Sequence, residues 1–126
     1  MGFYSSLGAV NRSDDRGKRS YAASGYLRPN LQRPNLRVLT EALATRIVLD
    51  GNTATGVEFV HGGKTAIASA AKEVILSGGV INSPQLLELS GIGDPDVLKA
   101  AGVDCVVENE RVGMDVAHGT SNGNVR

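Results

Sequence analysis

Residues 74–94, VILSGGVINSPQLLELSGIGD, leave few folds open. Val74, Ile75 and Leu76 are apolar in succession, as in a strand covered on both faces of a parallel sheet, so a strand is predicted over 72–77. Gly78 and Gly79 end it. Ser83 stands where an N-cap belongs, and Pro84 takes the first helical position, where a missing N–H is no loss. Leu86, Leu87 and Leu89 give one apolar face and Gly91 supplies a left-handed stop, which predicts a helix over 83–90. The same grammar repeats at once. Asp94 caps, Pro95 starts, DVLKAA makes two turns and Gly102 ends them, so a second helix is predicted over 94–101, followed by a strand at VDCVV. Strand, helix, helix and strand in that order make an α/β unit.

Upstream the hydrophobic period changes. PNLRVLT (34–40), opened by Pro34, and LATRIVLD (43–50) both read as strands. Asp50, Gly51 and Asn52 turn the chain, ATGVEFV (54–60) returns with Val57 and Phe59 on one face, and HGGK leads into TAIASA (65–70). Three short antiparallel strands in succession form a β-meander, which gives the α/β unit some α+β character. RSYAASGYL (19–27) predicts a short helix capped by Ser20, weakened at Gly25 and ended by Pro29. Residues 1–19 and 108–126 are polar and glycine-containing, and both are expected to be irregular.

With 126 residues and 41% hydrophobic content, one small core is the most the chain can build. Thirteen basic and 13 acidic residues cancel, leaving no long-range field to gather nucleic acid or an anionic bilayer, and neither is expected as a partner. No run approaches the roughly 20 apolar residues of a membrane helix, and MGFYSSLGAVNRSDDRG has no signal-peptide pattern. Any signal of a parent protein would lie outside this chain, so the compartment stays open. Cys105, in an apolar run, reads as core.

Catalytic chemistry is sparse. His61 and His118 lie at metal-ligand spacing neither from each other nor from Cys105, so no metal site is expected. Ser77 in ILSGG lacks the glycine two places earlier that a nucleophile elbow needs. Asp14, Asp15, Glu108 and Glu110 sit in polar runs where solvated carboxylates are the default. A glycine turn between a strand and a helix start can admit a phosphate or an adenosine, because it removes the Cβ barrier and presents unpaired N–H groups. GGVINSP is not G-x-G-x-x-G, however, so ligand contact and simple close packing of the helix both remain open.

Residues 79–93, GVINSPQLLELSGIG, resemble the second family pattern of the glucose-methanol-choline (GMC) oxidoreductases. Gly79, Ser83, Pro84, Leu86, Leu87, Ser90, Gly91, Ile92 and Gly93 match it; Val80 departs, standing where the family prefers a smaller residue. GKRSYAASGYLRP and RPNLRVLTEALATRIVLDGNTATGVEFV also look like family stretches in the right order, so the resemblance covers roughly residues 15–113. It implies an FAD-dependent parent that oxidises an alcohol CH–OH to a carbonyl, passing hydride to the flavin, on a dinucleotide-binding sheet with a β-meander. It also implies FAD contacts near the adenosine end: the backbone at Ala44, which needs no side-chain chemistry, and the strand end Ser77, Gly78 and Gly79.

The family's G-x-G-x-x-G and its C-terminal catalytic histidine segment have no counterpart here. Where the family has Val-Gly-x-Asn-Leu-x-Asp-His this chain reads VGMDVAHGT, with His118 one place off, so no role is carried onto it. The expectation is a lead-in over 1–19, a partial FAD-binding domain over 20–107 and a polar tail over 108–126. Such a piece would supply part of the FAD site and no catalytic residue, and would depend on missing N- and C-terminal segments and an alcohol substrate for activity. The alternative from another class is a stand-alone, non-catalytic module that binds an adenine nucleotide or a partner.

Overall fold

The computed structural model describes residues 21–114. The chain divides into two compact units, one ending at Thr40 and one beginning at Glu41. In the first, a π-helical turn over Ala23–Leu27 runs into a 3-10 turn over Arg28–Asn30. Ser24 stabilises the entry: its hydroxyl donates to the Tyr21 carbonyl at 2.9 Å and accepts the Tyr21 N–H at 3.0 Å. The π-helical turn ends at Leu27, the expected bound, and Pro29 falls in the first turn of the 3-10 segment that follows, where its N–H is not needed. The predicted Ser20 cap lies outside the described residues.

The strand predicted over 34–40 does not form. Its propensity is real, but among the described residues no strand pairs with it, and the Leu36 N–H instead closes a turn onto the Arg33 carbonyl at 3.1 Å. Leu36, Val38 and Leu39 stay exposed.

The second unit begins with the meander. Strands β1 (Ala42–Asp50), β2 (Thr53–His61) and β3 (Lys64–Ser69) pair antiparallel in the order β1-β2-β3. Gly62 and Gly63, at φ +56° and +73°, make the β2–β3 turn, since both central residues of such a hairpin need positive φ. A register shift between Ala44 and Arg46 leaves Thr45 as an extra residue opposite Glu58. There the Thr45 hydroxyl donates to Glu58 Oε1 at 2.9 Å and Arg46 Nη2 donates to Glu58 Oε2 at 3.1 Å.

After β3 the chain corrects the sequence at three places. Residues 72–77 form no strand, because among the described residues no strand pairs with them. Helix α1 runs Gly79–Leu89 rather than 83–90, so Gly78 and not Ser83 is the N-cap, and Pro84 lies inside. Pro84 denies the helix one bond, to the Val80 carbonyl, and that does not prevent a turn ahead of it. Finally, VDCVV gives only β5 (Val107–Glu108), which pairs parallel with β4 (Ile92–Gly93). Its partner is two residues long because Asp94 immediately caps helix α2 (Pro95–Ala100), so the pairing cannot extend. Cys105 is accordingly exposed, not core.

The second helix forms as its punctuation predicts. Asp94 Oδ1 accepts the Asp96 N–H at 2.8 Å and the Val97 N–H at 3.3 Å. Among the described residues the buried apolar side chains are Ile47 and Leu98.

Glu58 carries a pH signature. The Thr45 hydroxyl bond, and after it the Arg46 bond, hold its carboxyl below the usual carboxylate range. A lowered folded-state value favours the folded form fully above the ordinary carboxylate value, and the benefit is lost as pH falls through the lowered one. Glu58→Gln should therefore flatten the acid-side loss of meander stability below about pH 5, read as β1 and β2 amide exchange against pH.

Candidate functional site

The start of β1 and the start of α1 face each other across an open cleft of about 410 Å³. From β1 come Leu43 and Ala44; from the segment entering the helix come Leu76 and Gly78. The helix contributes Asn82, Gln85, Leu86 and Leu89, the three- and four-residue spacing that puts side chains on one helical face. No lining residue is charged. Four leucines and two carboxamides make the cleft suited to a flat, neutral, hydrogen-bonding ring rather than to a phosphate.

Of the four predicted site residues, Ala44 and Gly78 are brought together in this lining. Ser77 and Gly79 flank Gly78 in the chain without lining the cleft. Glycine at 78 has a local reason: a Cβ there would sit 3.2 Å from Asn82 Cβ and 3.3 Å from the Ser83 nitrogen. No side chain caps α1, so its first backbone N–H groups keep the open valence of any helix start. Asn82 and Gln85 were not singled out from the sequence. Their signal was available in the spacing 82, 85, 86, 89, but a helix expected to start at Ser83 left Asn82 outside it.

At the far end of α1, Ser90 ties the helix to the strand. Its buried hydroxyl donates to the Leu86 carbonyl at 2.5 Å and accepts the Ile47 N–H at 2.7 Å. Gly91 follows at φ +80°, and its carbonyl accepts the Val106 and Val107 N–H groups at 2.8 and 3.0 Å. A Cβ there would meet the Asp104 carbonyl oxygen at 2.5 Å, so a side chain is excluded twice over. A larger hollow of about 580 Å³, among Tyr26, Leu27, Arg33 and Leu36, holds none of the predicted residues. Among the described residues no three His, Cys, Asp or Glu side chains stand close enough to hold a metal ion, and no helix is long and apolar enough to cross a membrane.

The family model of the GMC oxidoreductases matches residues 2–117. The chain belongs to that family. The match reaches further toward both ends than the motifs alone, which covered roughly residues 15–113. The dehydrogenase mpl7 of Monascus purpureus is 50% identical over 125 residues, covering 95% of this chain and 20% of that protein. Human mitochondrial choline dehydrogenase is 48% identical over 110 residues, covering 87% and 18%. Among solved structures, an FAD-dependent oxidoreductase from Chaetomium thermophilum superposes with a TM-score of 0.70 at 31% identity, covering 75% of this chain and 17% of that one. Pyridoxine 4-oxidase from Mesorbium loti gives 0.69 at 38% identity, covering 78% and 19%. The chain thus spans about a fifth of the length of the relatives it matches.

FAD is the cofactor of this family region, and the cleft fits one part of it. Its uncharged walls and the Asn82 and Gln85 carboxamides, which make no hydrogen bond among the described residues, suit a flat neutral ring. They offer nothing for the pyrophosphate, consistent with the absence of G-x-G-x-x-G from the sequence.

Ser90→Ala would leave the buried Ile47 N–H without an acceptor, a loss of about 1–3 kcal/mol. The expected result is Ile47 amide exchange on the order of tenfold faster, with the β2–β3 amides unchanged. Unaltered exchange at Ile47 would contradict the anchoring role.

Proposed function

We propose that the chain is an inner part of the FAD-binding region of an oxidoreductase acting on the CH–OH group of an alcohol. In this assignment it holds the adenosine end of FAD and contributes no catalytic base. The observation that carries it is the convergence of Ala44 and Gly78 on one uncharged cleft. Ser77 and Gly79 complete the turn beside it. FAD, when bound, supplies the hydride-accepting chemistry; this chain's own residues bind and orient the nucleotide and exclude water from it. Residues 20–107 form the partial FAD-binding domain, between the lead-in 1–19 and the tail 108–126. His118 lies outside the described residues and is given no role.

Exposure supports a part that works inside a larger enzyme. Helix α1 has no buried residue, although Val80, Ile81 and Leu89 are apolar. Ile75, on the segment expected to be a covered strand, is 77% exposed. Such surface is normally covered by more protein. The sheet neighbours and the proton-accepting histidine of the active enzyme belong, on this assignment, to segments N- and C-terminal to the region. The relatives are named for choline, pyridoxine and formate, so the likeness does not select an alcohol.

A second assignment, a non-catalytic module for an adenine nucleotide, is favoured by the same neutral cleft, which needs no flavin. Titration of the purified chain separates the two. FAD should bind, ADP-ribose should compete with it, and added FAD should support no oxidation of simple or aromatic alcohols. Turnover would contradict the missing base, and FAD binding that ADP-ribose does not displace would contradict the adenosine placement. A cooperative thermal unfolding transition of the isolated chain would favour the stand-alone module, and melting without cooperativity would favour the part of a larger enzyme.

A further inference from the structure

Strands β1 and β2 are each nine residues long and joined by a turn at Gly51 and Asn52, so a plain hairpin would pair every residue of one with a residue of the other. The observed pairing is different. Thr45 on β1 and Thr55 on β2 are each left without an opposite residue, and the two irregularities cancel. Residues 42–44 face 59–61, and 49–50 face 53–54, in one common register. Between them Arg46, Ile47 and Val48 face Glu58, Val57 and Gly56, one place out of step. Both extra residues are threonines whose hydroxyls donate across the strand pair, Thr45 to the Glu58 carbonyl and Thr55 to the Val48 carbonyl, each at 3.2 Å.

The displaced stretch contains Ile47, the residue that Ser90 holds. Backbone N–H groups on an antiparallel strand point alternately into the ladder and out of it. From Gly56 to His61, β2 keeps unbroken register with β3, which fixes that alternation on β2. Opposite Val57, Ile47 turns its N–H outward, where the Ser90 hydroxyl accepts it at 2.7 Å. In the plain register Ile47 would stand opposite Gly56 and turn the same N–H inward, away from Ser90. The tie between sheet and α1 thus exists only in the displaced register. Hydrophobic alternation does not select it, because Ile47, Val48 and Leu49 are all apolar and give no preference between faces. Glu58 does discriminate. Its Oε1 accepts from Thr45 and its Oε2 from Arg46, the two consecutive residues that the bulge sets against it. In the plain register Arg46 would stand opposite Val57, on the other face of the sheet from Glu58, and the second bond would be lost. We propose that Glu58 is a register lock. By gripping Thr45 and Arg46 together it keeps residues 46–48 one place out of step, and so acts through the backbone to present Ile47 to Ser90. It is a positioning residue for the joint between meander and helix, whatever the cleft binds.

The test is a cycle of Glu58→Leu and Ser90→Ala on the isotope-labelled full chain, read by Ile47 amide exchange and by cross-strand nuclear Overhauser contacts. With Glu58 present, Ser90→Ala should speed Ile47 exchange on the order of tenfold. In the Glu58→Leu background the same substitution should change it about twofold or less, because Ile47 no longer meets Ser90. The contact of Ile47 with Val57 should give way to one with Gly56, and Arg46 should move opposite Val57. Thr45→Val removes one of the two bonds with little change of shape. It should move both readouts the same way by a smaller amount, and it decides the matter if Glu58→Leu does not fold. A tenfold effect of Ser90→Ala that persists in these backgrounds would overturn the proposal, and so would retention of the Ile47–Val57 contact.

Discussion

The Ser90 hydroxyl holds the second unit together. Buried between the last turn of α1 and the outer edge of β1, it accepts from Ile47 and donates to Leu86, so one oxygen satisfies two backbone groups on different elements. A buried N–H on an edge strand otherwise needs a neighbouring strand or water. Here a side chain takes that place, and it does so at the junction where helix and sheet are fixed to each other. Immediately after it, Gly91 accepts two N–H groups from the β5 side, and Ile92 and Gly93 pair with Val107 and Glu108. The Ser-Gly-Ile-Gly stretch is thus a three-way joint: Ser90 to the meander, Gly91 to the returning chain, Ile92–Gly93 to a short parallel bridge.

Much of this was legible in the sequence, and the reasons for success and failure are local ones. The meander followed from alternating residues bounded by Asp-Gly-Asn and His-Gly-Gly-Lys, because hairpin pairing is satisfied by near neighbours in the chain. The second helix followed from Asp94 and Pro95, because a cap is a contact over two or three residues. Residues 34–40 and 72–77 had strand composition and formed no strand, since strand pairing is a property of two segments and composition describes one. α1 starts a turn ahead of the boundary that Ser83 and Pro84 suggest, because Pro forbids less on its N-terminal side than the spacing implies. Cys105 was read as core from its valine neighbours, but a two-residue β5 buries little.

The site shows the same division. Ala44 and Gly78 became candidates through resemblance to a family, and the fold then brought them into one cleft for a reason the residues themselves supply: α1 packs along β1 and returns its first turn beside the strand's start. Asn82 and Gln85 emerged only once the helix was seen to begin at Gly79, which placed Asn82 in register with Gln85, Leu86 and Leu89. Charge was informative throughout. A neutral cleft, and no glycine-rich phosphate loop in the sequence, accord with the proposal that this region meets the nucleoside and not the pyrophosphate.

The central claim is that FAD's adenosine end lies between the starts of β1 and α1. Its most direct measurement is an amide chemical-shift map of the isotope-labelled chain titrated with FAD. The account expects the largest shifts at Leu43, Ala44, Gly78 and Gly79, with the amides of α2 and around Cys105 unmoved. Saturable shifts centred on α2 or on residues 22–36, with Ala44 and Gly78 still, would contradict it.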